Sequence, residues 1–154
     1  MRTVIRAHGA RHTGSTLLDG VFWSDERQQA TYERSRDFTI ERVGPAGLRH
    51  LADTVRKQYH QESVLTFRCL ARTAPDTDAV RIEAPGVTPA RLRGALLADP
   101  EARERLSGGS VTLDGHLVLI APVADLPLAR RFTAVLGVDR ETAAVRYGDQ
   151  EFVG

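Results

Sequence analysis

The chain has 154 residues, of which 42% are hydrophobic and 27% are charged, and this composition excludes a disordered protein. It carries 21 basic and 20 acidic side chains, so its net charge of +1 provides no strong field for collecting nucleic acid or anionic lipid. The single cysteine, Cys69, excludes an intramolecular disulfide, which permits a reducing compartment.

The sequence has no segment that would direct export or insert into a membrane. Its first residues lack the apolar core of a signal peptide. No continuous apolar run comes near the length of a membrane-spanning helix, which is about 18 residues or more. The basic residues are almost all arginine, with Lys57 as the only lysine. We interpret this as codon usage in a GC-rich bacterial genome rather than a phosphate-binding role, although arginine is the better bidentate partner for phosphate. We expect a soluble cytoplasmic protein.

The N-terminal segment predicts two strands with a loop between them. Residues 3–7 include the β-branched pair Val4 and Ile5, which favours a short strand. Residues 9–14 are small and polar and predict a loop. Residues 17–23 are mostly apolar and predict the second strand.

The following segment leaves two alternatives open. Ser24 could cap a helix that runs to about Arg36, with acidic residues in the first turn, although this segment has few apolar positions. The alternative is a strand over residues 30–35 that pairs with a strand over residues 38–43. The second of these strands alternates apolar and polar side chains, so it is predicted in either case.

The clearest pattern in the chain is a helix followed by a strand, between Gly44 and Leu70. The helix begins after Gly44, because Pro45 cannot donate to a strand ladder. Its apolar positions recur at the helical period and are Leu48, Leu51, Ala52, Val55 and Tyr59. The strand covers residues 64–70 and presents Cys69 on its core face, where we expect an inert packing residue.

The second half of the chain predicts strands alternating with capped helices. After a strand over residues 80–84, two helices begin at Thr88 and at Asp99, each a capping residue followed by proline. A hairpin follows, with strands over residues 111–113 and 116–121. Its Asp-Gly turn sequence is typical of a type I′ turn.

The C-terminal segment predicts a helix and a last pair of strands. The helix covers residues 125–136 and presents Leu128, Phe132, Val135 and Leu136 to the core. The strands cover residues 142–147 and 151–153 and are expected to pair with each other. The element order predicts an α+β fold, a mixed or mainly antiparallel sheet with three to four helices packed on it. We expect one domain over residues 1–154; a division into subdomains would fall near Gly108-Gly109.

Residues 8–16 contain the candidate ligand-binding side chains. Gly9 to Gly14 has the glycine spacing of a phosphate-binding loop, but Ser15 occupies the position of its lysine, so a surface loop is the favoured interpretation. His8 and His12 stand four positions apart, but the glycines argue against a helix that would join them at a metal. The candidates for ligand binding are His8, His12, Ser15 and Thr16. The sequence predicts no metal site and no cofactor.

A polar cluster over residues 60–63 joins the central helix to its strand. His60 and Glu62 are the catalytic candidates, because they could form a general acid–base pair if both faced a cleft. Residues two apart on an extended backbone do share a face. The favoured alternative is a polar connector whose side chains bond freed backbone groups.

The absence of a catalytic motif carries the functional prediction. We expect a small bacterial accessory or regulatory protein that binds an unidentified protein or small molecule, self-associates through an edge strand and contacts no membrane. One alternative is a small hydrolase or transferase whose site assembles from His8, His12, His60 and Glu62 across neighbouring strand ends. The other is a single-stranded nucleic-acid-binding protein using the aromatic and arginine side chains of residues 22–36, which is not favoured because acidic residues there offset the charge.

Overall fold

The computed structural model describes residues 2–24, 29–58, 67–70, 78–148 and 150–153 of the chain. The α-helices in these ranges are α1 (Arg2–Ala7), α2 (Pro45–Gln58), α3 (Pro89–Ala98), α4 (Pro100–Arg105) and α5 (Leu126–Val135). The strands are β1 (Arg11–Ser24), β2 (Gln29–Glu41), β3 (Phe67–Leu70), β4 (Ala79–Pro85), β5 (Gly108–Thr112), β6 (His116–Pro122), β7 (Ala144–Gly148) and β8 (Gln150–Val153). The fold is α+β, as the sequence predicts, with five α-helices in the described ranges rather than three to four.

The strands form two sheets. Six of them make one sheet with the order β2-β1-β5-β6-β4-β7, and β3 pairs with β8 in the other. The pairs β1–β5, β5–β6, β4–β6, β4–β7 and β3–β8 are all antiparallel. Among the helices of the described ranges, none is both long and apolar enough to cross a membrane.

The chain forms two compact units. Unit 1 comprises Met1–Thr16, Asp37–Ala71 and Asp149–Gly154, and unit 2 comprises Leu17–Arg36 and Arg72–Gly148. Gly108 and Gly109 lie inside unit 2, at the start of β5.

The core of unit 2 is formed by its sheet and by α3, α4 and α5. Its largest fully buried side chains include Phe132 from α5, Leu92 from α3 and Ile82 from β4. Burial of each such side chain contributes about 1.5–3 kcal/mol. Strand β6 buries three consecutive side chains, Leu117 to Leu119, because β5 and β4 flank it and its two faces are both covered. The continuous apolar run from Leu117 to Ala121 is typical of a strand that is covered on both faces.

Local capping signals correctly locate the two short helices of unit 2. The Thr88 hydroxyl accepts a hydrogen bond from the Arg91 amide at 3.2 Å, and the Asp99 carboxylate accepts one from the Ala102 amide at 3.0 Å. The backbone amide of Asp99 also donates to the Ala95 carbonyl, which ends α3. Asp99 is therefore both the C-cap of α3 and the N-cap of α4.

A network of five charged side chains joins α4 to α5 and to the short 3-10 helix Val123–Asp125. Arg131 contacts both Asp99 and Glu101, the latter at 2.8 Å. Arg105 pairs with Glu101 at 2.7 Å and with Asp125, which is buried. Hydrogen bonds from Arg131 and Arg105 lower the pKa of the Glu101 carboxyl, and the bond to Asp125 raises the pKa of Arg105. This charge network consists of Asp99, Glu101, Arg105, Asp125 and Arg131.

Helix α2 confirms the central amphipathic prediction. Leu51, Ala52 and Val55 are buried, and Leu48 is half-buried. On its other face, Lys57 donates to the Asp53 carboxylate at 2.7 Å, which lowers the pKa of Asp53. The last position of the predicted apolar stripe, Tyr59, lies outside the described residues, as do residues 64–66 of the strand that follows.

The strand predicted for residues 3–7 is wrong, because this segment is α1. The helix ends in a Schellman motif, in which the Gly9 amide donates to the Arg6 carbonyl and the Ala10 amide to the Ile5 carbonyl. Gly9 has a φ of 71°, which glycine adopts without steric cost. Val4 and Ile5 are buried in a small core, so packing and the cap outweigh the strand propensity of these residues.

Two further predictions for the N-terminal half need correction. The loop expected over residues 9–14 is shorter, since β1 already begins at Arg11. Strand β2 runs without a break from Gln29 to Glu41, so the helix alternative is wrong and the strand alternative is right in type. Residues 30–35 and 38–41 therefore belong to one strand and do not form a hairpin.

The hairpin of β5 and β6 is confirmed, but its turn is not type I′. Gly115 has a φ of 81° and Asp114 does not have a positive φ, whereas a type I′ turn needs two such residues. The Gly115 amide donates to the Thr112 carbonyl, as in a type I turn followed by a left-handed glycine. Thr112 also bonds the Asp114 carboxylate and accepts from the His116 amide, which stabilises this alternative turn.

At the C-terminus the predicted elements exist, but their contacts differ. Val135 is 63% exposed, because the buried stripe of α5 runs through Leu128, Phe132 and Leu136 with Ala129 and Thr133 beside them. Strands β7 and β8 do not pair with each other. Strand β7 pairs with β4, where its partly buried side chains pack on the core of unit 2, and β8 pairs with β3.

Substitution of Gly9 tests the turn that ends α1. We expect Gly9→Ala to lower the free energy of unfolding by about 1–2 kcal/mol, because a left-handed φ is strained for a residue with a Cβ. Gly9→Asn should cost less, since asparagine tolerates this conformation. Urea unfolding followed by circular dichroism measures both, and an alanine variant as stable as the wild type would contradict the assignment.

Substitution of Glu101 tests the charge network through its pH dependence. Because the pKa of Glu101 is lowered in the folded state, its contribution is present above the unfolded pKa and lost as the pH falls through the folded one. Glu101→Gln should therefore lower the melting temperature at pH 7 by about 1–3 °C, and the difference should shrink as the pH falls below the unfolded pKa of glutamate, about 4.3, and vanish below the lowered pKa of the folded state. Glu104→Gln, on the same helix, is the matched control and should change little at either pH.

Candidate functional site

The predicted site residues divide between described and undescribed parts of the chain. His60, Gln61, Glu62 and Ser63 lie outside the described residues, so the acid–base pair stays a prediction. His8 follows α1, and the other ligand-binding candidates, His12, Ser15 and Thr16, lie in β1. All four belong to unit 1.

The two histidines of this segment have different neighbours. Nδ1 of His8 donates to the Val4 carbonyl at 2.9 Å, and its ring lies 5.0 Å from that of His50 in α2. The ring of His12 instead lies 5.9 Å from Phe38 in β2. Within the ranges that the structure describes, no three or more histidine, cysteine or acidic side chains are grouped to hold a metal.

Unit 1 contains a cleft of about 560 Å³ in which arginine is the most frequent of the described lining residues. Four of the lining residues are Arg2 and Arg6 from α1, Arg11 from β1 and Arg42 from the connection after β2; we call this cavity the arginine cleft. The remaining lining residues are Gly9, Ala10, His12, Thr13, Gly14 and Ser15. Of the candidates from the sequence, His12 and Ser15 line the cleft, whereas His8 and Thr16 do not.

Local structure explains how three of the arginines reach the same cavity. Arg2 and Arg6 stand four positions apart in α1, so they share one face of the helix. The left-handed turn at Gly9 then ends the helix, and Arg11 begins β1 two residues later. A helix and a strand that are adjacent in sequence thus contribute to one lining.

The fourth arginine occupies an unusual backbone conformation. Arg42 has a φ of 62° and is the only residue other than glycine with a positive φ in the described ranges. Such a conformation is uncommon for non-glycine residues, and it persists only where surrounding structure holds it. Nearby, the Thr13 hydroxyl donates to the Thr39 carbonyl at 3.3 Å, which links β1 to β2 beside the cleft.

The guanidinium groups of the arginine cleft have no acidic counterions in the described part of the chain. None of the four forms an ion pair or hydrogen bond with a described carboxylate, and no acidic residue is among the described residues that line the cavity. Residues 1–18 contain three arginines and neither aspartate nor glutamate. A nearly neutral protein therefore has a cluster of positive charge in one cavity, and clustered positive charge in general attracts anions.

Sequence reasoning missed these four arginines. It treated arginine as a compositional bias and used the net charge of the whole chain, which averages a basic cavity with acidic residues elsewhere. The signal that could have found three of them is the lack of any acidic residue before Asp19. Nothing in the local sequence marks Arg42, because it joins the cavity only through the path of β2 and α2.

Comparisons with known proteins identify no family. The chain matches no protein-family model, and neither a curated protein nor a solved structure matches it. The chemistry of the site must therefore be argued from its own residues.

Neutralising Arg2 tests whether the clustered charges are held at a cost to stability. Arg2 lies in the first turn of a helix and four residues from Arg6, and both placements are unfavourable for a cation. We expect Arg2→Gln to raise stability by about 0.2–0.5 kcal/mol at low salt, and the gain should fall as salt screens the charges. Thermal unfolding at two salt concentrations measures this, with the exposed Arg140→Gln as the control. A loss of stability would contradict the repulsion.

Proposed function

We propose that this protein acts by binding and that its ligand is a small anionic molecule held in the arginine cleft. The observation that carries the proposal is the convergence of four arginines on one cavity whose described lining contains no carboxylate. Clustered positive charges repel each other, and a bound anion would offset this repulsion. A ligand-responsive accessory or regulatory protein is the role that this arrangement supports best.

The size and chemistry of the cavity support a small molecule. A volume of about 560 Å³ lies within the range of about 300–1,000 Å³ that is usual for small-molecule sites. Arginine keeps its charge throughout the physiological pH range, so anion binding requires no protonation step. Each charge-assisted hydrogen bond would contribute about 1.5–3 kcal/mol.

Self-association remains a separate prediction about the same protein. Strands β2 and β7 are the outer strands of the six-stranded sheet, and outer strands expose unpaired backbone groups that a second copy could bind. Size-exclusion chromatography with light scattering tests this directly. A monomer at all concentrations would contradict self-association and would leave the ligand proposal unaffected.

Thermal stabilisation by multivalent anions tests the proposed function. At low salt, sulfate, citrate, phosphate and pyrophosphate are added separately to the full-length protein, and a ligand that binds the folded state raises its melting temperature. We expect at least one anion to stabilise the wild type and to lose most of this effect in the Arg11→Gln/Arg42→Gln double variant. The Arg140→Gln variant should respond like the wild type, since Arg140 lies outside the cleft.

Two results would contradict the proposal. The first is that none of the four anions changes the melting temperature of the wild type. The second is that the double variant responds as the wild type does, which would locate anion binding elsewhere. Circular dichroism of each variant shows whether a lost response reflects a lost fold.

A further inference from the structure

The arginine cleft also constrains the chemical class of its ligand, and this step rests on the proposed function. We infer that the ligand carries two or more adjacent phosphate groups and that these groups, not an attached base or acyl chain, provide the affinity. The inference depends on the number of guanidinium groups, on the elements that present them and on the other residues in the lining.

The number of guanidinium groups favours more than one anionic group. Each guanidinium is a planar fork that makes two parallel hydrogen bonds to a carboxylate or a phosphate. Four arginines, each carrying such a fork, are among the residues that line the cleft, so one carboxylate would leave most of the forks without an acceptor. A phosphate carries more negative charge and more acceptor oxygens than a carboxylate. The combined negative charge of two adjacent phosphates would be close in magnitude to the positive charge of the four arginines.

The arginines come from two places in unit 1. Arg2 and Arg6 share one face of α1, whereas Arg11 and Arg42 lie at the start of β1 and just after the end of β2. A ligand with anionic groups next to each other can therefore contact the helix pair and the strand-end pair together. Binding at both pairs is effectively intramolecular once the first is made, which increases affinity.

The rest of the lining offers little to a base or an acyl chain. His12 is the one aromatic side chain among the described residues of the lining, and its ring lies 5.9 Å from that of Phe38. Within the same described part of the lining, Ala10 is the one residue with an apolar side chain, and it is buried. Nucleobases are usually held on exposed aromatic faces, so an attached nucleoside would add little affinity in this cleft.

The lining also favours direct contact with phosphate. Magnesium ions that bridge phosphates to proteins are usually held by carboxylates, and the described residues of the lining include none. Guanidinium groups would take the role of the metal by contacting the phosphate oxygens themselves. Binding should therefore persist when divalent ions are chelated.

Isothermal titration calorimetry of the full-length protein tests the inference with pyrophosphate as the main probe. Orthophosphate has a single phosphate group, citrate is a multivalent carboxylate, and ADP carries a pyrophosphate with a nucleoside attached. In buffer containing EDTA we expect pyrophosphate to bind about tenfold or more tightly than orthophosphate or citrate. ADP should bind within about threefold of pyrophosphate, because only the phosphates are recognised.

Two variants of Arg11 distinguish the contribution of the planar guanidinium group to binding from that of its positive charge. Arg11→Gln should weaken pyrophosphate binding by about tenfold, and Arg11→Lys should restore only part of the loss, since lysine keeps the charge without the planar fork. Arg140→Gln is the matched control and should bind as the wild type does. Full restoration by lysine would overturn the role of the guanidinium geometry.

The remaining outcomes distinguish this inference from the proposed function. Citrate binding as tightly as pyrophosphate through the same arginines would overturn the phosphate class and leave an anion-binding protein. ADP binding more than about tenfold tighter than pyrophosphate would overturn recognition by phosphate alone. An oligothymidine that outcompetes pyrophosphate would overturn a small ligand and favour the nucleic-acid alternative. If no anion binds at low salt, both proposals fail.

Discussion

The candidate site depends on one backbone constraint, the left-handed turn at Gly9. This residue ends α1 because its amide and that of Ala10 return to carbonyls of the helix. The chain then starts β1 at Arg11, so the arginines of the helix and the first arginine of the strand border the same cavity. Burial of Ile5 against α2 holds the helix in this position. Without the turn at Gly9, the helix would not end before Arg11, and the arginines of α1 and β1 would not border one cavity.

The arginines of unit 2 differ from those of the arginine cleft in the partners that they contact. Arg105 and Arg131 belong to the charge network and bond carboxylates, and Arg103 donates to the last carbonyls of α3. These contacts lie between helices that are packed on one core, where they fix how successive helices meet. The four arginines of the arginine cleft form no such contacts with described carboxylates.

Unit 2 is the part of the fold that the sequence predicts best. Its helices begin at Thr88 and Asp99, where a side chain satisfies a backbone amide within three residues. Its hairpin is marked by the glycine at 115, and its buried strand by a continuous apolar run. The errors in unit 2 are the type of the hairpin turn, the exposure of Val135, the pairing of β7 with β4 rather than with β8, and the hairpin expected within what is one strand, β2. They arise because the side-chain hydrogen bonds of a turn, the path of a helix over the core and the pairing of strands are not specified by the periodicity of apolar residues.

Unit 1 was harder to predict because opposing local signals act on the same residues. Val4 and Ile5 have strand propensity, yet they lie in a helix whose cap and burial together outweigh that preference. The arginine cleft was not predicted at all, since its basic residues occupy α1, β1 and the connection after β2. A count of charge over the whole chain conceals such a cluster.

The sequence by itself determined the α+β class, the central amphipathic helix and the capped helices of unit 2. In each case the interactions act between residues no more than about four positions apart, so a short window contains them. Only the tertiary structure decided that β7 pairs with β4 rather than with β8, and that Arg42 joins Arg2 in one cavity. Those contacts join residues that are distant in sequence, and the packing of buried side chains, which no local pattern specifies, brings them together.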